Sequence, residues 1–233
     1  MKKLFVLLFF CTITAQAQLS SYRYKQALEN LNQSGWHSLT LPITIFDRME
    51  RYNDLRIYGI SVTDTIEVPY MMADTVVATQ TITHFAVKND KASKHTIIDV
   101  KLPEILLLGK VAIHPATTYD YYRSVKILQN ETTDDTYLSS VVKGVLDSKG
   151  NNTYTFAPQL FKHLQIDIDN QDNTPLSISE ITLFPITYKL TARFPDTAHH
   201  YFLVYGKAND IAPQYDITHF VKHIPKQLPS IHY

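Results

Sequence analysis

The sequence predicts an all-β fold built as two β-sandwich domains, the first of them discontinuous. Three observations carry this reading. Apolar and polar residues alternate with period two through much of the chain, the mark of strands with one buried face. Residues that fit a pleated surface are abundant, with 15 Tyr and 11 Phe against only 6 Gly. Helical patterning is confined to Phe46–Tyr52 and Tyr137–Leu146, both short.

The chain opens with MKKLFVLLFFCTITAQAQ, in which two lysines precede an apolar run and then small and polar residues. That order is a secretory signal peptide, and the run is shorter than the roughly 20 residues needed to span a bilayer. Ala15-Gln16-Ala17 reads as the cleavage site, so residues 1–17 are the signal peptide and the exported chain begins at Gln18. Cys11 is preceded by Phe9-Phe10 where a lipid-modified cysteine needs a small residue, so no lipid is expected on it. It is the sole cysteine, and its removal leaves no disulfide and no thiol chemistry. Burial must then stabilise the fold, and a chain of this length buries about 70% of its unfolded surface. Removing Lys2 and Lys3 from 22 basic residues against 22 acidic ones leaves a net formal charge of −2. Without a basic excess, nucleic acid is not an expected partner.

Candidate strands run through Ser21–Ala27, His37–Leu41, Leu55–Ile60, Glu67–Met72, Thr75–Thr83, Thr96–Leu102, Ile105–His114 and Ser124–Gln129. Thr153–Phe156, His163–Asp169, Ser177–Leu183, Tyr188–Phe194, Tyr201–Tyr205 and Tyr215–Phe220 complete the set. Sandwiches are the default for short strands at this spacing. The strands before Asp74 make a thin sheet that cannot cover its own apolar face, and the strands after Pro185 have the same problem. One solution joins 18–75 with 186–233 as a first, discontinuous sandwich and inserts 76–185 as a second. Two consecutive domains are the alternative.

The stretches GWHSLTLP (Gly35–Pro42), NDLRIYGISVTDTIEVPY (Asn53–Tyr70), IDIDNQDNTPLSI (Ile166–Ile178) and YFLVYGKANDIAPQYDI (Tyr201–Ile217) stand in a recognisable order. In this the chain resembles a bacterial family of exported proteins, the domain-of-unknown-function family numbered 3999, which has no established activity. Members are commonly longer and carry a C-terminal transmembrane helix. This sequence ends at Tyr233 without one, so a soluble variant or a truncated sequence is expected. The stretch Thr96–Gln129 resembles a discoidin, or galactose-binding-like, jelly roll, which implies a jelly-roll-like sandwich in the middle of the chain.

Asp167-x-Asp169-x-x-Asp172 raises the question of a metal site. A helix–loop–helix calcium loop counted from Asp167 places Asp172 where glycine is required and Ile178 where the distal glutamate belongs. Strand followed by turn is therefore the expectation, with Asp167, Asp169 and Asp172 kept as the weaker metal alternative. His219 and His223 stand four apart, but Phe220 replaces the glutamate of a zinc-protease motif. A zinc site joining them to His199 or His200 is the minor alternative to surface histidines. No nucleophile elbow or phosphate-binding glycine loop occurs, so no catalytic residue is assigned. No cofactor is expected.

The cluster TYDYYRS offers the candidate ligand site: Tyr119 and Tyr121 present faces for sugar rings, and Asp120 and Arg123 supply directional hydrogen bonds. Trp36, opening an alternating strand, is expected in the core. The function expected is that of an exported, non-catalytic protein, periplasmic or at the cell surface, binding a glycan or an envelope protein. The alternative is a polysaccharide-acting enzyme of glycoside-hydrolase type whose paired carboxylates no motif selects.

Overall fold

Alternating burial shapes nearly every element of the chain, whose computed structural model describes residues 19–49, 54–130 and 137–233. Residues 1–17, read from sequence as a signal peptide and including Cys11, lie outside the described residues. In chain order the elements are β1 (Tyr24–Ala27), β2 (Gly35–Thr40), a short helix α1 (Ile43–Phe46), β3 (Arg56–Ile60), β4 (Thr65–Glu67), β5 (Tyr70–Val76) and β6 (Gln80–Ile82). They continue with β7 (Ala86–Asp90), β8 (His95–Pro115), β9 (Tyr122–Asn130), β10 (Ser139–Asp147), β11 (Thr153–Asp169), β12 (Ile178–Phe194), β13 (His200–Tyr205) and a 3-10 helix over Asp216–His223. The fold is all-β. Its longest strands, β8, β11 and β12, meet their neighbours β9, β2 and one another in antiparallel ladders.

Three pairs of expected strands are single long strands instead. Thr96–Leu102 and Ile105–His114 merge in β8, Thr153–Phe156 and His163–Asp169 in β11, and Ser177–Leu183 and Tyr188–Phe194 in β12. Each contains a proline (Pro103, Pro158, Pro185) that lacks a ladder donor and reads as a break. The chain absorbs each by slipping register: β11 against β8 shifts between Thr155 and Gln159 and between Phe161 and His163, and β12 against β8 between Leu183 and Pro185.

Other expectations are corrected. Tyr137–Leu146 is not helical; β10 occupies it, pairing with β9 from Ser139↔Gln129 to Asp147↔Tyr122, as suits its run of β-branched valines. Tyr215–Phe220 is not a strand: Ile217 and Phe220 stand three apart, the spacing of a 3-10 turn, and Ile217 is the buried residue of that helix. The helix expected at Phe46–Tyr52 ends at Phe46, and residues 50–53 lie outside the described residues. β7 was not expected, because it is a mostly exposed polar strand paired only along 95–99 of β8.

By contacts the chain groups into two units, 1–74 with 188–233, and 75–187. In the second, β8 and β11 are long enough to serve two layers. The halves 95–101 of β8 and 163–169 of β11 pair with each other, and the latter also with β9, which pairs with β10. The halves 106–112 and 153–161 pair again beyond the register shift, and there β8 continues to β12 and β12 to β6. Strands that change sheet at a bulge let one curled sheet enclose its own core. Ile98, Val100, Val125, Ile127, Leu164 and Ile166 from one layer share a cluster with Leu108, Val111, Phe161, Ile181 and Leu183.

In the first unit the sheet order is β1-β13-β3-β4, and β2 pairs with residues 189–194 of β12. Leu190, Ala192 and Phe194 are buried, as are Tyr201, Leu203 and Tyr205 of β13. The Phe194 ring meets Tyr201 edge-on at 4.8 Å, joining the two layers. Arg56 anchors the segment after β13: it is 6% exposed, pairs with Asp210 at 2.9 Å and Glu67 at 3.4 Å, and donates to the carbonyls of Leu55 and Ile211. On β2 the buried face is His37 and Leu39, continued by Leu41 beyond the strand. Trp36 therefore points to the opposite face and is half-buried, not a core residue as expected.

Candidate functional site

Three connections of the second unit end together around a hollow of about 440 Å³. The β8–β9 connection brings Tyr119, Asp120 and Tyr121 and leads into Tyr122 and Arg123 of β9; the β10–β11 turn brings Asp147, Ser148 and Lys149; the β11–β12 connection brings Asn173 and Thr174. All four residues singled out in the sequence line it. Loops at the end of a rigid sandwich are where binding groups are commonly mounted.

Local chemistry fixes the rim. In the β10–β11 turn, the Asp147 carboxylate accepts from the Lys149 amide at 2.9 Å, and Asn152, with a left-handed φ of 46°, accepts from the Asp147 amide at 2.8 Å. Asp120 accepts from the Ser148 hydroxyl at 3.0 Å and lies 3.7 Å from the Lys149 ammonium, both side chains largely exposed. The Ser148 amide donates to the Tyr121 carbonyl at 3.1 Å, so turn and loop are tied by backbone as well.

The aromatic residues divide by strand parity. Arg123, Val125, Ile127 and Gln129 form the buried face of β9, which leaves Tyr122 on the open face, 66% exposed. Tyr119 is 49% exposed. Tyr121 is buried in the core cluster, its hydroxyl accepting from Asn152 at 3.3 Å, so the open rings are Tyr119 and Tyr122. Tyr122, Asp147, Ser148, Lys149, Asn173 and Thr174 were not assigned from sequence. Alternation along β9 carried a signal for Tyr122; the others reach the hollow only through tertiary packing.

Arg123 is the unusual member. It is 6% exposed, and Nη1 donates to the Tyr122 carbonyl at 3.0 Å. Its Nε is buried with no hydrogen-bond partner among the described residues. A buried guanidinium left incompletely paired is costly, by several kcal/mol if its charge is uncompensated. Its planar fork matches a carboxylate.

The aspartate run meets three different fates. Asp167 faces out of β11 and pairs with His95 at 2.5 Å, with Lys126 at 3.8 Å. Asp169 caps the Gln171 amide at 2.9 Å, opening the turn after β11. Asp172 pairs with Lys94 at 2.6 Å on an exposed surface, and each group shifts the other, the carboxyl downward and the ammonium upward. Among the described residues, no group of three or more His, Cys, Asp or Glu side chains is arranged to hold a metal ion. His219 and His223 lie on the 3-10 helix, and the His223 ring stacks on Phe220. His199 sits between two carboxylates in the first unit, with Nδ1 2.9 Å from Asp196 and Nε2 3.0 Å from Asp64.

No helix among the described residues is long and apolar enough to cross a membrane. No protein-family model matches the chain, and no curated protein matches it. Solved structures similar to it include the CBM32 of AlyQ in complex with 4,5-unsaturated mannuronic acid, at 17% identity and TM-score 0.36, covering 49% of this chain and 98% of that one. A pectin-binding carbohydrate-binding module is similar at 16% identity and TM-score 0.30, covering 49% and 90%. The family 32 module of NanJ from C. perfringens, in complex with galactose, is similar at 14% identity and TM-score 0.28, covering 57% and 98%.

Proposed function

We propose that this chain is an exported, non-catalytic glycan-binding protein and that the hollow of its second unit holds an acidic sugar. The observation that carries the reading is Arg123, a nine-tenths buried cation lining a hollow whose open walls are Tyr119 and Tyr122. A uronate would place its carboxylate on the guanidinium fork and its ring on a tyrosine face, while Asn173 and Thr174 offer polar groups to hydroxyls. Binding is favoured over hydrolysis because the two carboxylates of the hollow are engaged in shaping the rim: Asp147 caps its own turn and Asp120 holds Ser148. Export rests on the signal-peptide reading of residues 1–17, and membership of the exported family 3999 rests on its sequence stretches.

Calorimetric titration of the full chain with tetragalacturonate and with an uncharged hexose oligomer tests this. Tetragalacturonate should bind, and Arg123→Met, with its fold checked by circular dichroism, should weaken it about 10- to 100-fold, the worth of a charged hydrogen bond. Tyr122→Ala should weaken it as well without touching the core. Equal affinity for the uncharged oligomer, or full affinity in both variants, would sink the acidic-sugar reading. Release of new reducing ends during the titration would instead identify an enzyme.

A further inference from the structure

A second hollow, of about 790 Å³, lies wholly within the first unit, and we propose that it is a separate binding site for a neutral sugar chain. Its floor is set by the β2–β12 ladder, where Trp36 stands directly opposite Arg193. The 3-10 helix and the segment before it supply a wall with Tyr215, Asp216, Phe220 and His223. The size falls within the range of small-molecule sites.

The wall is built in advance of any ligand. The Tyr215 hydroxyl donates to Glu67 at 2.5 Å, and its ring meets Tyr70 edge-on at 5.4 Å. Burial and that carboxylate hold the Tyr215 proton well above the ordinary phenol range, so it remains a donor. Ile217 pins the helix from beneath, and Glu67 is itself held by Arg56 at 3.4 Å. Rigid walls reduce the entropy lost on binding.

The chemistry selects the ligand. Trp36 is half-buried and Phe220 is 50% exposed, so both aromatic groups remain accessible. Aromatic faces carry negative quadrupole density, which suits the C–H face of a pyranose. Around them stand planar polar groups, the Arg193 guanidinium and the Asp216 carboxylate, that satisfy neighbouring hydroxyls in pairs. A cation and an anion share the rim, so the hollow has no excess of either sign to draw a charged ligand. The Arg123 hollow also balances its charges, Asp120 and Asp147 against Arg123 and Lys149, but its arginine is buried, whereas Arg193 is exposed. The proposal does not depend on the acidic-sugar reading.

Trp36 is the chain's single tryptophan, so its fluorescence reports on this hollow alone. The full chain would be titrated with neutral hexasaccharides of glucose, galactose, mannose and xylose while the emission is followed. At least one should give a saturable shift, and Phe220→Ala and Arg193→Ala, both at exposed positions, should each weaken it about tenfold. Arg123→Met should leave it intact, which separates failure of this proposal from failure of the other. No shift with any of the four sugars, or a shift unchanged in both variants, would overturn the site. Emission that instead moves with protein concentration alone would mean that a second copy of the chain covers the hollow, and would also overturn it.

Discussion

Tyr201 and Gly59 stand opposite each other in the β13–β3 ladder, and the tyrosine ring fills the space where a side chain at 59 would begin. A Cβ at 59 would come within 2.6 Å of ring atom Cε1. The ring has little freedom to retreat, since its hydroxyl donates to the Asp196 carbonyl at 3.1 Å and Phe194 packs against it. Tyr154 covers Gly144 in the second unit in the same way, at 2.6 Å, with its hydroxyl on the Val145 carbonyl at 2.8 Å. Aromatic cover of a strand glycine is a known device for restoring packing where a side chain is missing.

Gly59→Ala and Gly144→Ala should therefore each destabilise the fold by about 1–3 kcal/mol through overpacking, although alanine in a strand interior ordinarily gains about 0.5–1 kcal/mol over glycine. Urea unfolding midpoints measure this. An unchanged or raised midpoint would mean that the rings move aside freely.

His199 joins the β3–β4 turn, through Asp64, to the segment before β13, through Asp196. Its pKa is raised, first by the Asp196 hydrogen bond and then by Asp64; Asp196 is lowered first by His199, and Asp64 first by the Ser61 hydroxyl and then by His199. A raised histidine stabilises fully below its unfolded value and loses that contribution as pH rises through its folded value. The lowered carboxylates stabilise above their unfolded values and lose it as pH falls through their folded ones. The clasp is thus strongest between about pH 4 and pH 6.5. Thermal unfolding followed by Trp36 emission should show a stability advantage of the native chain over His199→Leu in that window, shrinking on both sides. A difference that is constant with pH would rule the clasp out.

Chelation should leave the melting temperature unchanged, because Asp167, Asp169 and Asp172 serve an ion pair, a turn cap and a surface lysine. An ion bound at 100 times its dissociation constant would add about 2.7 kcal/mol, a loss readily seen on adding chelator. A drop reversed by calcium and abolished in Asp169→Ala would show that a calcium site had been missed.

We propose that the two units are separate domains, the second inserted in the first. Among the described residues, the second unit's cluster draws its members from 82 to 183, all within 75–187. β13 lies between β1 and β3, so its loss leaves β1 without a ladder partner among the described residues. The isolated segment 75–187 should unfold cooperatively, while deletion of 188–233 should abolish the cooperative transition of the first unit. Cooperative folding of 18–74 alone would contradict the arrangement.

Alternation along the chain was enough to identify most strands, because period-two burial is a property of each strand against one face. Leu164, Ile166 and Ile168 read as buried from sequence and are fully so, and Asp167 and Asp169 read as facing out and do. Composition likewise determined an all-β chain, and the spacing of the aspartates argued against a dedicated calcium loop. Proline misled the reading at Pro103, Pro158 and Pro185, because a missing donor ends a strand only when no bulge absorbs it. Tyr137–Leu146 misled it because a short apolar run fits both periods until a partner strand, in this case β9, chooses one. Only tertiary structure decided that Tyr121 is core, that Arg123 is buried beside a hollow, and that Trp36 faces Arg193 and not the interior. Exposure depends on what the rest of the chain lays over a residue. That cover comes from segments distant in sequence, so no local pattern encodes it.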